Sequence, residues 1–260
     1  MIIGGYMILR VLLSIIPSIV IAFIIYLSDK KEKEPIFKIV KAYILGIISI
    51  LLTVGISDYL NINIIDLEKS STLDIFIYSF ILIALVEEVS KWLCSYVSIK
   101  NNDDYNYMYD GIVYFAFVAL GFATVENCLY AIAGDFNTVL IRTITTLPSH
   151  VAFGIVSGYY FSLFRRELYK NKKIQAYKYL ALSVYVPIIL HGFYDFCLLI
   201  DNYIYFMTYI IFVSTLYTLT ISRALRMEKI DHKLDDKKVY CRYCGKVMKN
   251  EKCLECDKEE

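Results

Sequence analysis

An excess of charge of either sign is what this chain most plainly lacks. Its 260 residues carry 27 Lys and Arg against 26 Asp and Glu, a formal net charge of +1, so charge gives no pointer to nucleic acid or an acidic substrate, and no nucleic-acid partner is expected. There is no internal repeat and no low-complexity linker. The missing repeat disfavours a transporter assembled from duplicated halves with paired broken helices. No small-residue cleavage signal follows the first apolar run, which therefore reads as a retained span and not a secretory leader. A His-Glu-x-x-His pair is also absent, which excludes the helical zincin arrangement.

What the chain has is apolar length. It is 58% hydrophobic, where soluble domains hold roughly 45–50%, and its mean hydropathy is +0.53. Seven runs, at 6–27, 36–57, 73–97, 110–133, 139–163, 179–200 and 203–223, are long enough for about 30 Å of hydrocarbon. Lys and Arg separate between alternate connections. Lys30, Lys31, Lys33, Arg165, Arg166, Lys170, Lys172 and Lys173 fall in the first and fifth, while the second, fourth and sixth hold only Lys69. The positive-inside rule then puts the first, third and fifth connections and the tail in the cytoplasm and the N-terminus outside.

Ionisable residues sit around mid-depth in four of these runs, at a cost of about 2.5–3.5 kcal/mol each near a bilayer centre. Glu87, Glu88 and Lys91 share one helical arc, because residues three and four apart face the same way. They suit a self-neutralising ion pair that glues helices, or a carboxylate couple poised for general-base work. Glu126 and Asn127 follow the small-residue stretch Gly121-Phe-Ala-Thr-Val. Thr143, Thr146 and His150 share a face in the fifth run, ahead of Gly154 and Gly158, whose spacing is packing chemistry. His191 and Asp195 are four apart, so the carboxylate can orient the imidazole, and Pro187 one turn earlier should loosen that helix.

Depth tests whether these groups can meet. Counting about 1.5 Å per residue from each helix end puts Glu87 and Glu88 at about 14–15 Å, His150 and His191 at about 18–20 Å, and Glu126 and Asp195 at about 24 Å. Four helices that each place an ionisable group in one layer point to a single site. Two carboxylates and two histidines can hold a metal, with one Glu as base to the water it activates. They can also work without metal, a Glu activating water while a His or Asn127 stabilises an oxyanion. Both describe amide hydrolysis; a proton or cation path would use the same residues.

The motifs Glu87-Glu88-Val-Ser-Lys91, Phe122-Ala-Thr-Val-Glu126, His150 and His191-Gly-Phe-Tyr-Asp195, in this order on separate runs, resemble the PrsW family of intramembrane proteases, related to the prenyl-protein CAAX endopeptidases. Asp110-Gly111 and Asn127 also fit the pattern, and the resemblance covers roughly 70–200. It implies a protease that makes the first cut in a membrane-anchored anti-sigma factor and so releases an extracytoplasmic-function sigma factor.

The tail carries Cys241-Arg-Tyr-Cys244 and Cys253-Leu-Glu-Cys256. Two C-x2-C knuckles can close a tetrahedron around structural zinc, and on a reducing side of the membrane a disulfide is disfavoured. The expectation is thus an all-α polytopic membrane bundle of about seven helices with a small C-terminal zinc ribbon. The membrane unit is 1–223, a charged linker 224–238 and the ribbon 239–260, with a cytoplasmic protein as the ribbon's candidate partner. Glu87, Glu88, Glu126, His150 and His191 form the expected catalytic centre. Lys91, Asn127, Asp195 and Asp110 support it, and Zn2+ sits on Cys241, Cys244, Cys253 and Cys256; whether the centre itself holds a metal stays open. The alternatives are a silent scaffold or receptor that binds a partner through its ribbon, and a proton-coupled transporter.

Overall fold

The computed structural model describes residues 2–59, 70–235 and 241. It is all-helical: α1 (Ile2–Ser28), α2 (Ile36–Tyr59), α3 (Thr72–Ile77), a π-helical turn (Tyr78–Ala84), α4 (Leu85–Ile99), α5 (Asp110–Ala133), α6 (Phe136–Ile144), α7 (Thr146–Tyr169), α8 (Lys173–Leu199) and α9 (Tyr203–Lys229). There is no strand among the described residues, only an isolated bridge between Tyr107 and Lys233. Six helical stretches are long and apolar enough to cross a membrane: Met7–Ser28, Ile36–Tyr59, Asp110–Ala133, Phe136–Tyr169, Lys173–Leu199 and Tyr203–Lys229. The run expected at 73–97 is not among them. It is assembled from α3, the π-turn and α4, of 6, 7 and 15 residues, because the widened turn interrupts the α-helical ladder. The fifth run is likewise divided, α6 ending before Thr145 and α7 starting anew.

Short polar clusters end the helices as their chemistry requires. Ser71 and Asp74 form a reciprocal capping box at α3. Asp135 Oδ1 accepts from Thr138 N at 2.8 Å to start α6, and Asn202 Oδ1 does the same for Ile204 N at α9. Each satisfies a donor that the helix leaves free.

α5 is the axis of the bundle. It is buried continuously from Asp110 to Thr124, as expected of a helix apolar on every side, and α2, α7 and α1 pack around it. Two glycine crossings set the spacing. A Cβ on Gly46 would run into the α5 backbone at Val118, and one on Gly158 into the backbone at Gly111; bare backbone lets the helices close. Gly154, the other residue of that pair, abuts Ala119 and Phe115.

The two prolines in helix interiors, Pro17 and Pro187, keep their ladders satisfied from outside. Pro187 cannot donate to the Ser183 carbonyl; Ser157 Oγ donates to it instead at 2.6 Å. Pro17 likewise frees the Leu13 carbonyl, which accepts from Thr143 Oγ1 at 3.2 Å. α8 therefore runs unbroken through Pro187 from Lys173 to Leu199.

At the end of the bundle where α5 begins, the chain after α9 folds back on the preceding loop. Met108 N donates to His232 O at 3.1 Å and Leu234 N to Asn106 O at 2.8 Å. Asp231 Oδ1 accepts from Tyr109 N at 2.9 Å. Burial is the main cause that raises three carboxyls here: Asp29 to about 6 despite Lys33, Glu34 to about 7 against the Tyr114 hydrogen bond, and Asp231 to about 7. Cys241 is buried; Cys244, Cys253 and Cys256 lie outside the described residues, and with them the expected ribbon.

Candidate functional site

Five helices contribute to one polar cavity of about 470 Å³. Its wall includes Glu87, Glu126, Arg142, His150, His191 and Asp195. α4 supplies Glu87, Glu88 and Lys91; α5 supplies Glu126 and Asn127; α6 supplies Arg142; α7 supplies His150; and α8 supplies His191 and Asp195. The π-turn ends three residues before Glu87. Its Phe80 ring lies against Gly192, so the residue beside His191 has no room for a side chain.

The groups are linked in an unbroken chain. Lys91 Nζ lies 2.6 Å from Glu88 Oε1 and 3.6 Å from Glu87 Oε2, and 3.0 Å from His150 Nδ1. Across the ring, His150 Nε2 is 2.9 Å from Glu126 Oε2. Glu126 Oε1 is 2.7 Å from an Arg142 guanidinium nitrogen, and Arg142 Nε donates to Asn127 Oδ1 at 3.1 Å. His191 Nδ1 meets Glu88 Oε1 at 2.8 Å, while its Nε2 lies 3.3 Å from Asp195 Oδ2 and 4.0 Å from Glu87 Oε2. Aromatic rings hold the imidazoles. Phe153 stacks on His191 at 5.1 Å, and the two imidazoles stand nearly perpendicular, 5.1 Å apart. Lys91 also lies over Phe122, 4.4 Å from its centroid.

The two carboxylates of the Glu pair differ in surroundings. Glu88 is 6% exposed and engaged by Lys91 and His191; it does not line the cavity. Glu87 does, and its Oε2 is buried without a hydrogen-bond partner. That oxygen has the longer contacts with Lys91 Nζ, at 3.6 Å, and His191 Nε2, at 4.0 Å, and a buried carboxylate oxygen without a hydrogen bond is costly.

Glu87, His150 and His191 each offer one ligand atom, all within 4.8 Å of one another. That donor set, two imidazoles and a carboxylate, is of the type divalent zinc-like ions take in catalytic sites. His150 already holds Lys91 and Glu126 on its two nitrogens, so its ligation of a metal would release one of them.

Most of the residues singled out in the sequence thus come together: Glu87, Glu88, Lys91, Glu126, Asn127, His150, His191 and Asp195. Asp110 does not join them. It stands sixteen residues before Glu126 on α5, about 24 Å along the axis, where Oδ2 accepts from Asn106 N at 2.9 Å and Tyr107 N at 2.6 Å. Of the threonines of the fifth run, Thr146 lines the cavity, whereas Thr143 serves α1. Arg142 was missed, although it is a charge inside an apolar run, the same signal that marks Glu87. Tyr78 and Tyr194, also on the wall, carry no sequence signal that separates them from the other tyrosines.

Comparison with known proteins bears on the same segment. The model of the PrsW family of intramembrane metalloproteases matches residues 34–220. The chain is 31% identical over 217 residues to a protein named Protease PrsW from Clostridioides difficile strain 630, covering 82% of this chain and 88% of that one. A Protease PrsW from Oceanobacillus iheyensis is 36% identical over 188 residues, 71% of this chain and 80% of the relative. One from Bacillus subtilis strain 168 is 32% identical over 194 residues, 74% and 84%. No solved structure matches.

Proposed function

The chain belongs to the PrsW family of intramembrane metalloproteases, and from that premise we propose how its residues divide the work of cutting a peptide bond within the membrane. Glu87, His150 and His191 would hold the metal, and Glu126 would act as the proton carrier. The observation that carries this reading is the convergence of Glu87, His150 and His191 on the cavity, one potential ligand atom from each lying within 4.8 Å of the other two, with Glu87 Oε2 free of hydrogen bonds. A divalent ion there would supply Lewis-acid polarisation of the scissile carbonyl. Glu126 takes the proton of the attacking water and delivers it to the departing amine. Arg142 aims Glu126 through its 2.7 Å contact. Glu88 fixes the ring of His191 at Nδ1, Nε2 would pass from Asp195 to the metal, and Lys91 offsets the paired charges of α4.

The substrate in this reading is a single-span membrane protein, by family likeness an anti-sigma factor whose first cut frees an extracytoplasmic-function sigma factor. α3, the π-turn and α4 together act as a seventh span, the N-terminus lies outside, and the tail with its zinc ribbon is cytoplasmic. Purified enzyme with one defined single-span substrate tests the chemistry. Glu87→Gln and Glu126→Gln should each lower the cleavage rate by about 10²–10⁴-fold without changing the amount of folded protein. Chelation should stop the reaction equally in a chain lacking 236–260, which has no tail zinc to lose. Cleavage at the wild-type rate by both variants would sink the assignment.

A further inference from the structure

Away from the catalytic cavity, α7, α8 and α9 form a second groove of about 240 Å³ on the outer face of the bundle, lined mainly by apolar side chains such as Ile155, Leu190, Phe212 and Leu216. It runs into a smaller cavity of about 160 Å³ that contains Arg166, Arg223 and Arg226; Tyr159 and Arg223 belong to both. We propose that this continuous surface binds one anionic phospholipid, its phosphate on Arg223 and Arg226 and one acyl chain in the groove.

Three features select that ligand. The first is unspent charge. Arg166 is occupied by Glu167, with two guanidinium contacts of 2.8 and 3.0 Å to one carboxylate oxygen. Among the described residues the Arg223 guanidinium has one polar contact, the Tyr159 hydroxyl at 3.4 Å, and lies over that ring. The Arg226 side chain pairs with none of the described residues. Both are exposed. Second, the two guanidinium groups are three residues apart on one helix, hence on one face, and planar forks of this kind match phosphate oxygens. Third, the dimensions fit one leaflet. Phe212 to Arg223 is eleven residues, about 16 Å of helix, against a hydrocarbon core of about 30 Å in all. A soluble phosphate would use the arginines and leave the groove bare; a neutral lipid would use the groove and leave the arginines bare.

Native mass spectrometry of the full chain in detergent, titrated with phosphatidylglycerol, phosphatidylcholine of the same chains, or chainless glycerol phosphate, separates these cases. Phosphatidylglycerol should bind at one equivalent and outlast phosphatidylcholine. Replacing both residues, R223Q with R226Q, should weaken it about thirtyfold, at about fivefold per juxtamembrane charge. Thr215→Trp, which fills the groove and spares both arginines, should also weaken it. Equal binding of the two lipids, unchanged phosphatidylglycerol affinity in the double arginine variant, or glycerol phosphate binding as tightly as the lipid would each overturn the proposal.

Discussion

Two sets of buried carboxylates lie about 24 Å apart along α5, and they are neutralised in opposite ways. Around Glu126 the acids meet fixed cations and imidazoles: Lys91, Arg142, His150 and His191. Around Asp110 they meet hydroxyls and backbone N–H groups: Tyr114 donates to Glu34, Tyr109 N to Asp231, and Asn106 N and Tyr107 N to Asp110. The first set borders a polar cavity; the second closes a loop against the tail. A buried acid by itself therefore says little about chemistry. Counter-charge and open space together set the two apart; a buried oxygen without a hydrogen bond does not, since Asp29 Oδ2 and Asp231 Oδ2 share that state with Glu87 Oε2.

The contrast breaks first where a single cation is removed. Lys91→Met takes from Glu88 its 2.6 Å cation and leaves it on His191, which should cost about 3–5 kcal/mol, read as a fall in thermal stability and membrane abundance. At the other set, Tyr114→Phe removes a neutral donor and should cost about 1–3 kcal/mol. Equal losses would mean that the two sets are held alike.

A smaller effect sharpens it. Arg142→Lys keeps the charge and loses the fork that reaches both Glu126 and Asn127, so cleavage should fall by about tenfold, the equivalent of one neutral hydrogen bond. Folded protein should be unaltered. Lys38, whose ion pair with Asp104 is partly exposed, should contribute less than about 1 kcal/mol when replaced by Met.

The smallest effect is in pH. Asp231 has its folded value raised to about 7 by burial, with Asp29 adding to the rise and Lys31 opposing it. The folded state thus binds the proton more tightly than the unfolded chain. The stability this adds is full below the unfolded value, near 4, and is lost as pH rises through about 7. Hydrogen exchange at Met108 and Leu234, corrected for intrinsic rates, should quicken between about pH 5 and 8. In Asp231→Asn, which keeps the acceptor for Tyr109 N, that slope should shrink.

The centre was largely legible because two periodicities act together. Helical spacing fixes the face of Glu87, Lys91, His191 and Asp195, and hydropathy fixes their depth. What spacing cannot give is the difference between adjacent residues of one pair: that Glu88 is taken by Lys91 and His191 while Glu87 Oε2 is left without a hydrogen bond depends on where α8 crosses α4. Arg142 escaped for a related reason. Its role rests on the break at Thr145, and nothing in the apolar run 139–163 separates a short helix from the start of a long one. The π-turn was equally hidden, since Tyr78–Ala84 reads as ordinary apolar helix.

That turn also has a genealogical consequence. Because i→i+5 closure takes one residue more than an α-turn, the segment Tyr78–Ala84 is a place where the chain can lose a residue and remain helical. The deletion would not be silent. It would swing everything upstream by about 100° relative to Glu87, carrying Tyr78 off the cavity wall and Phe80 away from Gly192. Among descendants of this sequence, a one-residue gap here would mark a lineage that had reshaped one wall of this cavity while every motif residue stayed in place.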